Sequence, residues 1–218
     1  MPKATIDELT LADEPARWQA LGFTVDGGCC QLGAVRMRFS GRDAGRGITG
    51  WSLRDISSTE LDGLATSLST EPLPEVRSEH ANGVVAIDHV VVMSPALERS
   101  IRALELAGLD LRRVREEPTP AGAPRQAFFR LGHEILELIQ EPDEVVANAG
   151  GPDHPARFWG LALAVEDLDR AAEQLGPHAG EIRPAVQQGR RIVTLRRSAG
   201  LAVPVALMSS SEDRVHAG

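Results

Sequence analysis

Two residues able to do chemistry stand in strand-like runs. His89 lies in Ala-Ile-Asp-His-Val-Val-Val-Met (86–93), and Glu137 in Ile-Leu-Glu-Leu-Ile (135–139). Strand alternation sets Ile87, His89, Val91 and Met93 on one face. It likewise sets Ile135, Glu137 and Ile139 together. A carboxylate among apolar neighbours is costly unless paired, metal-bound or protonated. Glu137 therefore needs a cation, a histidinium, an arginine or a raised pKa. His89 reads as a metal ligand or as one half of a structural pair, and both readings stand. Four arginines, Arg190, Arg191, Arg196 and Arg197, bracket Ile192 to Leu195. Alternation puts Arg191 and Arg197 on one face and Arg190 and Arg196 on the other. One pair could clamp a carboxylate or phosphate bidentately. The plainer reading is edge-strand charge that discourages aggregation.

Two motif matches carry no chemistry. His133-Glu134 opens a His-Glu-x-x pattern, but Glu137 replaces the second His and the run reads as strand, not helix. Gly-Arg-Gly-Ile-Thr-Gly (45–50) matches a dinucleotide fingerprint in letters only. The sequence continues as strand where the pyrophosphate-binding helix should start, so no nucleotide cofactor is expected. Cys29 and Cys30 lack metal-site spacing and read as small apolar strand residues.

The elements that must position these residues follow from pattern. Asp13-Glu14-Pro15 opens a short helix through Trp18 and Leu21. Ser94-Pro95 opens another, with Leu97, Ile101 and Leu104 at helical spacing and Gly108 as its stop. Asp167 caps a third, lined by Leu168, Ala171, Ala172 and Leu175. Ser57-Ser58-Thr59-Glu60 reads as a capping box, with Leu61, Leu64 and Leu68 as the buried face of a fourth. Strands are expected at 86–93, 126–131, 135–140, 159–165, 190–197 and 201–208, with Gly132-His133 as a tight turn. The Pro- and Gly-rich segments 71–81 and 141–157 read as linkers, and 209–218 as a mobile tail.

Composition bounds the class. The 218 residues are 42% hydrophobic and 25% charged, an ordinary globular mix. A formal charge of −8 argues against general nucleic-acid binding. No run reaches the length of a membrane span, and the N-terminus has no apolar signal core. The expectation is a soluble, cytoplasmic protein. Of the 23 basic residues only Lys3 is lysine, a bias given little functional weight.

The order of signals repeats. Ile-Asp-x-apolar occurs at 6–9 and 87–90, apolar-apolar-x-Leu-Gly at 29–33 and 128–132, and Gly-x-x-Leu at 50–53 and 160–163. The chain reads as four related β-α-β-β-β units, the first two abbreviated. At Ile-Asp-His-Val-Val-Val, Leu-Gly-His-Glu-Ile-Leu-Glu-Leu-Ile-Gln-Glu-Pro and Gly-Leu-Ala-Leu-Ala-Val-Glu-Asp-Leu-Asp, it resembles the vicinal oxygen chelate superfamily of glyoxalases, bleomycin-resistance proteins and extradiol dioxygenases. The resemblance implies an α+β fold of paired βαβββ modules, whose curled mixed sheets enclose a cavity. The division implied is 1–82 as an abbreviated module pair, 83–209 as a fuller pair and 210–218 as the tail.

In that family each module offers a metal ligand from its first and last strands. Carried over, the first module gives His89 and Glu137, the latter as ligand or catalytic base. The second offers none, since its positions fall at Gly160 and near Val205 or Ala206. In the abbreviated copy His89 maps to Glu8 and Glu137 to Arg38. Gln126 or Glu8 could complete a ligand set; Trp159, Arg191 and Arg197 are the substrate-binding candidates. The resemblance implies either a lyase, isomerase or dioxygenase assisted by a divalent metal (Zn, Ni, Mn or Fe), or a metal-free protein that sequesters a small molecule. The expected partners are a small-molecule ligand and, as an assembly, a homodimer; neither nucleic acid nor membrane is expected.

Overall fold

The computed structural model describes residues 3–74, 78–118, 122 and 124–209. The proposed tail at 210–218 and part of the 71–81 linker lie outside them. The first half contains β1 (Thr5–Leu11), α1 (Pro15–Ala20), β2 (Cys29–Leu32), β3 (Val35–Phe39), β4 (Ile48–Arg54) and β5 (Thr66–Leu68). The second opens with β6 (Val84–Ser94), α2 (Leu97–Leu106), β7 (Asp110–Arg115), β8 (Gln126–Leu131) and β9 (Glu134–Gln140). It continues through α3 (Asp143–Asn148), β10 (Arg157–Val165), α4 (Leu168–Leu175), β11 (Arg183–Pro184), β12 (Arg191–Thr194) and β13 (Val205–Ser209).

These strands form two open mixed sheets. The larger runs β11-β12-β13-β10-β6-β9-β8-β7 and the smaller β2-β3-β1-β4-β5. In the larger sheet β6 and β10 pair antiparallel, each has its module's last strand parallel beside it, and each module carries one helix. The smaller sheet repeats the plan: β1 and β4 are antiparallel, β1 pairs parallel with β3, and β4 pairs parallel with β5. This is an α+β fold of paired βαβββ modules, with one pair cut short.

The repeated sequence pieces each answer a backbone constraint that occurs twice. In β1 the register skips Asp7 between Ile6/Leu53 and Glu8/Ser52; in β6 it skips Asp88 between Ile87/Leu163 and His89/Ala162. Each skipped residue is the extra one of a β-bulge, which leaves it unpaired and re-aims its side chain. Second bulges skip Thr49 opposite Thr10 and Leu11, and Trp159 opposite Val91 and Val92. Gly33 and Gly132 begin two-residue hairpin loops at φ 58° and 70°, which glycine adopts at little cost. A Cβ on Gly50 would lie 3.0 Å from the Ala65 carbonyl oxygen, and one on Gly160 2.9 Å from that of Pro204. No side chain fits either place.

The bulge at Asp88 corrects the strand parity. Ile87 joins Val90 and Val92 in the core, whereas His89 faces the other way. The expected helix over 57–68 does not form. Asp62 and Gly63 take positive φ (51° and 82°), which breaks a helical turn. Leu61 and Leu64 form an isolated bridge instead, and Leu68 stands exposed in β5. The 141–157 segment is no plain linker, since it holds α3.

One core spans both halves. Leu97, Ile101 and Leu104 of α2 and Leu168, Ala171 and Leu175 of α4 are buried with Val90, Leu136, Leu163 and Leu207. The Asp167 side chain caps α4 by accepting from the Arg170 N–H at 3.0 Å. Trp51 meets Phe158 edge to face, with centroids 5.2 Å apart. The halves also meet through matching contacts. Gly33 packs on Ala86, and Gly132 packs on Thr5, the residue that precedes Ile-Asp in the other copy. No described helix is long and apolar enough to cross a membrane.

Candidate active site

Strands β6, β9 and β8 lie side by side. Their core face carries Val90, Val92, Leu136, Leu138, Ala127 and Phe129. The opposite face, away from the helices, carries His89, Glu137 and Gln126, because Phe128 pairs with Glu137 and Gln126 with Ile139 in the β8–β9 register.

A polar track crosses this face. The Arg190 guanidinium binds the Asp88 carboxylate, and it also donates to the Ser209 carbonyl at 2.8 Å. Asp88 Oδ2 lies 2.8 Å from His89 Nδ1. The other ring nitrogen, Nε2, lies 3.2 Å from Glu137 Oε2. Gln126 Nε2 donates to Glu137 Oε1. The His89 and Glu137 side chains are 12% and 16% exposed, so the pair is largely withdrawn from solvent yet reachable.

The electrostatics divide the carboxylates. Burial works against the Asp88 carboxylate, but hydrogen bonds from His89 and Arg190 outweigh it and hold its pKa below the ordinary value. Burial pushes the Glu137 pKa up; His89 pulls against this and Asp88 adds to it. A neutral imidazole donates from one nitrogen only. With Asp88 at Nδ1 and Glu137 at Nε2, that single N–H can serve one of the two carboxyl groups but not both. Nδ1–H bound to an ionised carboxylate is also the arrangement that orients a metal-binding imidazole.

The donor set was tested against a divalent cation. Among the described residues no three His, Cys, Asp or Glu side chains converge on a metal site. Counting amide oxygen changes the tally, since Gln126 Oε1 is buried without a hydrogen-bond partner. The Gln126 amide faces Glu137 through Nε2, so His89 Nε2 and Glu137 are the two donors that would hold one side of a cation, with the amide oxygen as a third only if that group turns. The second module adds nothing, because the Pro204 backbone occupies the space of any side chain at Gly160 and position 206 is alanine.

The other named residues stand outside the hydrogen-bonded cluster. Trp159 is the extra residue of a bulge, 47% exposed, two places before Leu161 in β10. Arg191 holds Asp169 of α4 at 2.7 Å, which lowers the Asp169 pKa. Arg197 sits in the turn before β13, lining a different groove. The structure brings together His89, Glu137 and Gln126, and adds two residues that sequence reasoning left out, Asp88 and Arg190. The repeated Ile-Asp signal pointed to Asp88; nothing in the sequence separated Arg190 from its three neighbours. Glu8 is no part of this cluster. It stands opposite Arg36 in the smaller sheet, as His89 stands opposite Ile135, and it accepts from Arg36 at 2.6 Å and Arg38 at 2.9 Å. It borders a hollow of about 420 Å³ with Thr10, Thr49, Trp51 and Ser52.

Two βαβββ modules joined through antiparallel first strands, with a histidine on the first strand and a carboxylate on the last, define the glyoxalase class of fold. Residues 86–191 match the Glyoxalase/Bleomycin resistance protein/Dioxygenase superfamily. Among solved structures it is similar to a xylose isomerase-like TIM barrel/4-hydroxyphenylpyruvate dioxygenase fusion protein, at 14% identity and a TM-score of 0.62. That match covers 95% of this chain and 49% of the other. It is also similar to methylmalonyl-CoA epimerase from Mycobacterium tuberculosis, at 19% identity and a TM-score of 0.48, over 60% of this chain and 91% of that one. No curated protein matches by sequence. At 14% identity the likeness to the fusion protein concerns the fold alone.

Proposed function

We propose that the helix-free face of the larger sheet is the site of a metal-assisted enzyme, acting on a small molecule that carries adjacent oxygen atoms by lyase, isomerase or dioxygenase chemistry. The observation that carries this reading is how His89 is held. Asp88, itself fixed by Arg190, takes Nδ1 and leaves Nε2 beside Glu137, which Gln126 Nε2 also binds. His89 and Glu137 would hold the cation, with the Gln126 oxygen as a third donor only if that amide turns. A bound cation supplies Lewis-acid polarisation of a carbonyl or enolate oxygen.

The chain's own residues do the rest. Glu137 would take a proton from carbon next to a carbonyl and return it. Gln126 orients that carboxylate through one oxygen. Trp159 supplies an exposed aromatic surface for the body of the ligand. Arg191, held by Asp169 and set apart from the cluster, would meet only the far end of an extended ligand, and Arg197 lines a different groove.

A metal-free binder is the second reading. It is favoured by the second module, where Gly160 and Ala206 offer no donor. The test is thermal melting of chelator-treated protein with zinc, nickel, manganese or ferrous ion. The enzyme reading expects one of these to raise the melting temperature of the wild type, since a ligand bound only to the folded state stabilises it. It expects no rise for His89→Ala. A wild type indifferent to all four, with a His89→Ala variant that melts well below it, rejects this reading and leaves the binder.

A further inference from the structure

We infer that the groove between the two halves, on the side of the 42–46 and 196–204 loops, is a second small-molecule site, and that its ligand carries a pyrophosphate or comparable polyanionic group. The groove has a volume of about 700 Å³ and is lined by Arg42, Arg46, Arg196 and Arg197. Arg17 reaches the same place, its side chain packing 3.7 Å from where a Cβ on Gly200 would stand. None of these residues belongs to the Arg190–Asp88–His89–Glu137 track, so the two sites stand or fall separately.

The groove gathers several guanidiniums that no carboxylate answers among the described residues. The chain carries a formal charge of −8. Many of its guanidiniums close on carboxylates, as Arg99 does on Asp62, Arg125 on Glu116 and Arg157 on Glu141. Arg42 is partly answered: Asp13 lies 3.9 Å from its Nε, Glu14 accepts from its backbone N–H, and its guanidinium donates to the Gly200 carbonyl. Arg17, Arg46, Arg196 and Arg197 have no carboxylate within 4.0 Å among the described residues. Asp13 does not neutralise them. It is fully buried and committed to the Trp18 indole N–H and the Ala202 N–H.

Like charges gathered at one groove repel one another, and a bound polyanion relieves that repulsion. Guanidinium forks match phosphate oxygens bidentately, which favours a multiply charged phosphate over a single carboxylate. The occupant is a small molecule because the groove is a bounded cleft between two loops, within the size range of ligand sites, rather than a stripe that could track a nucleic-acid backbone.

Calorimetric titration of the full chain with inorganic pyrophosphate tests this. We expect saturable binding at one equivalent, weakened by about tenfold in Arg196→Gln and again in Arg46→Gln, and unchanged in His89→Ala. These arginines are exposed, so their variants fold, and an unchanged melting temperature checks it. Three results would overturn the inference: no saturable binding, pyrophosphate held no more tightly than sulfate, or a single-stranded RNA oligonucleotide held more tightly than pyrophosphate in proportion to its length.

Discussion

His89 has a carboxylate at each ring nitrogen, and the two are not alike. Asp88 is kept ionised by two donors, whereas burial raises the Glu137 pKa. A raised carboxylate pKa has a definite effect on stability. Between the ordinary value of 4.5 and the raised one, the folded chain binds more protons than the unfolded chain. Stability contributed by the protonated group is therefore present below 4.5 and lost as pH rises through the folded pKa. Glu137→Gln keeps the shape and removes the titration. Melting temperatures of the metal-free proteins from pH 4 to pH 8 should show the wild type losing ground to the variant as pH rises through that window. Parallel curves would contradict the raised pKa. Cation uptake should run the other way and weaken as pH falls, because ligation needs the ionised carboxylate.

The elements show why part of the fold was legible. Each repeated sequence piece sits where the backbone allows few residues: a bulged Asp, a hairpin Gly, and a Gly pressed against the carbonyl that precedes the module's last strand. Gly160→Ala should cost ~1–3 kcal/mol, lowering the melting temperature by roughly 2–10 °C, because Cβ would meet the Pro204 oxygen at 2.9 Å. A variant melting with the wild type would show that the close approach is soft. What stayed hidden depended on register. The alternation rule put Ile87 and His89 together, and only the bulge at Asp88 separates them. Arg190 reaches Asp88 because the 195–204 connection sets β12 against β13 with Ile192 opposite Met208. That register is a property of a loop, and no residue type announces it. The helix expected after Ser57 had a cap and spacing, but Asp62 and Gly63 turn the chain first.

Over the whole molecule, the connection between halves carries a structural histidine. His80 Nδ1 accepts from the Thr24 N–H at 3.0 Å, and Nε2 faces the Gln31 carbonyl at 2.9 Å. Burial lowers its pKa below the ordinary 6.5, although the Gln31 hydrogen bond opposes this. The unfolded chain then takes up this proton first as pH falls, so stability declines from 6.5 down through the folded pKa. Urea midpoints at pH 7.5 and pH 5 should differ more for the wild type than for His80→Gln; equal differences would place His80 outside this linkage. The same scale sets the number of sites. Two copies of one strand plan are present. In the larger sheet the first and last strands carry His89 and Glu137, whereas in the smaller the matching positions carry Glu8 and Arg38, already joined at 2.9 Å. An arginine cannot ligate a cation, so the proposed function allows one metal site per chain and not two. The most direct test is the metal content of chelator-stripped protein reloaded with zinc, nickel, manganese or ferrous ion. The account predicts one equivalent per chain for one of these, lost in His89→Ala and in Glu137→Gln and kept in Glu8→Gln. No uptake, two equivalents, or uptake that survives His89→Ala would contradict it.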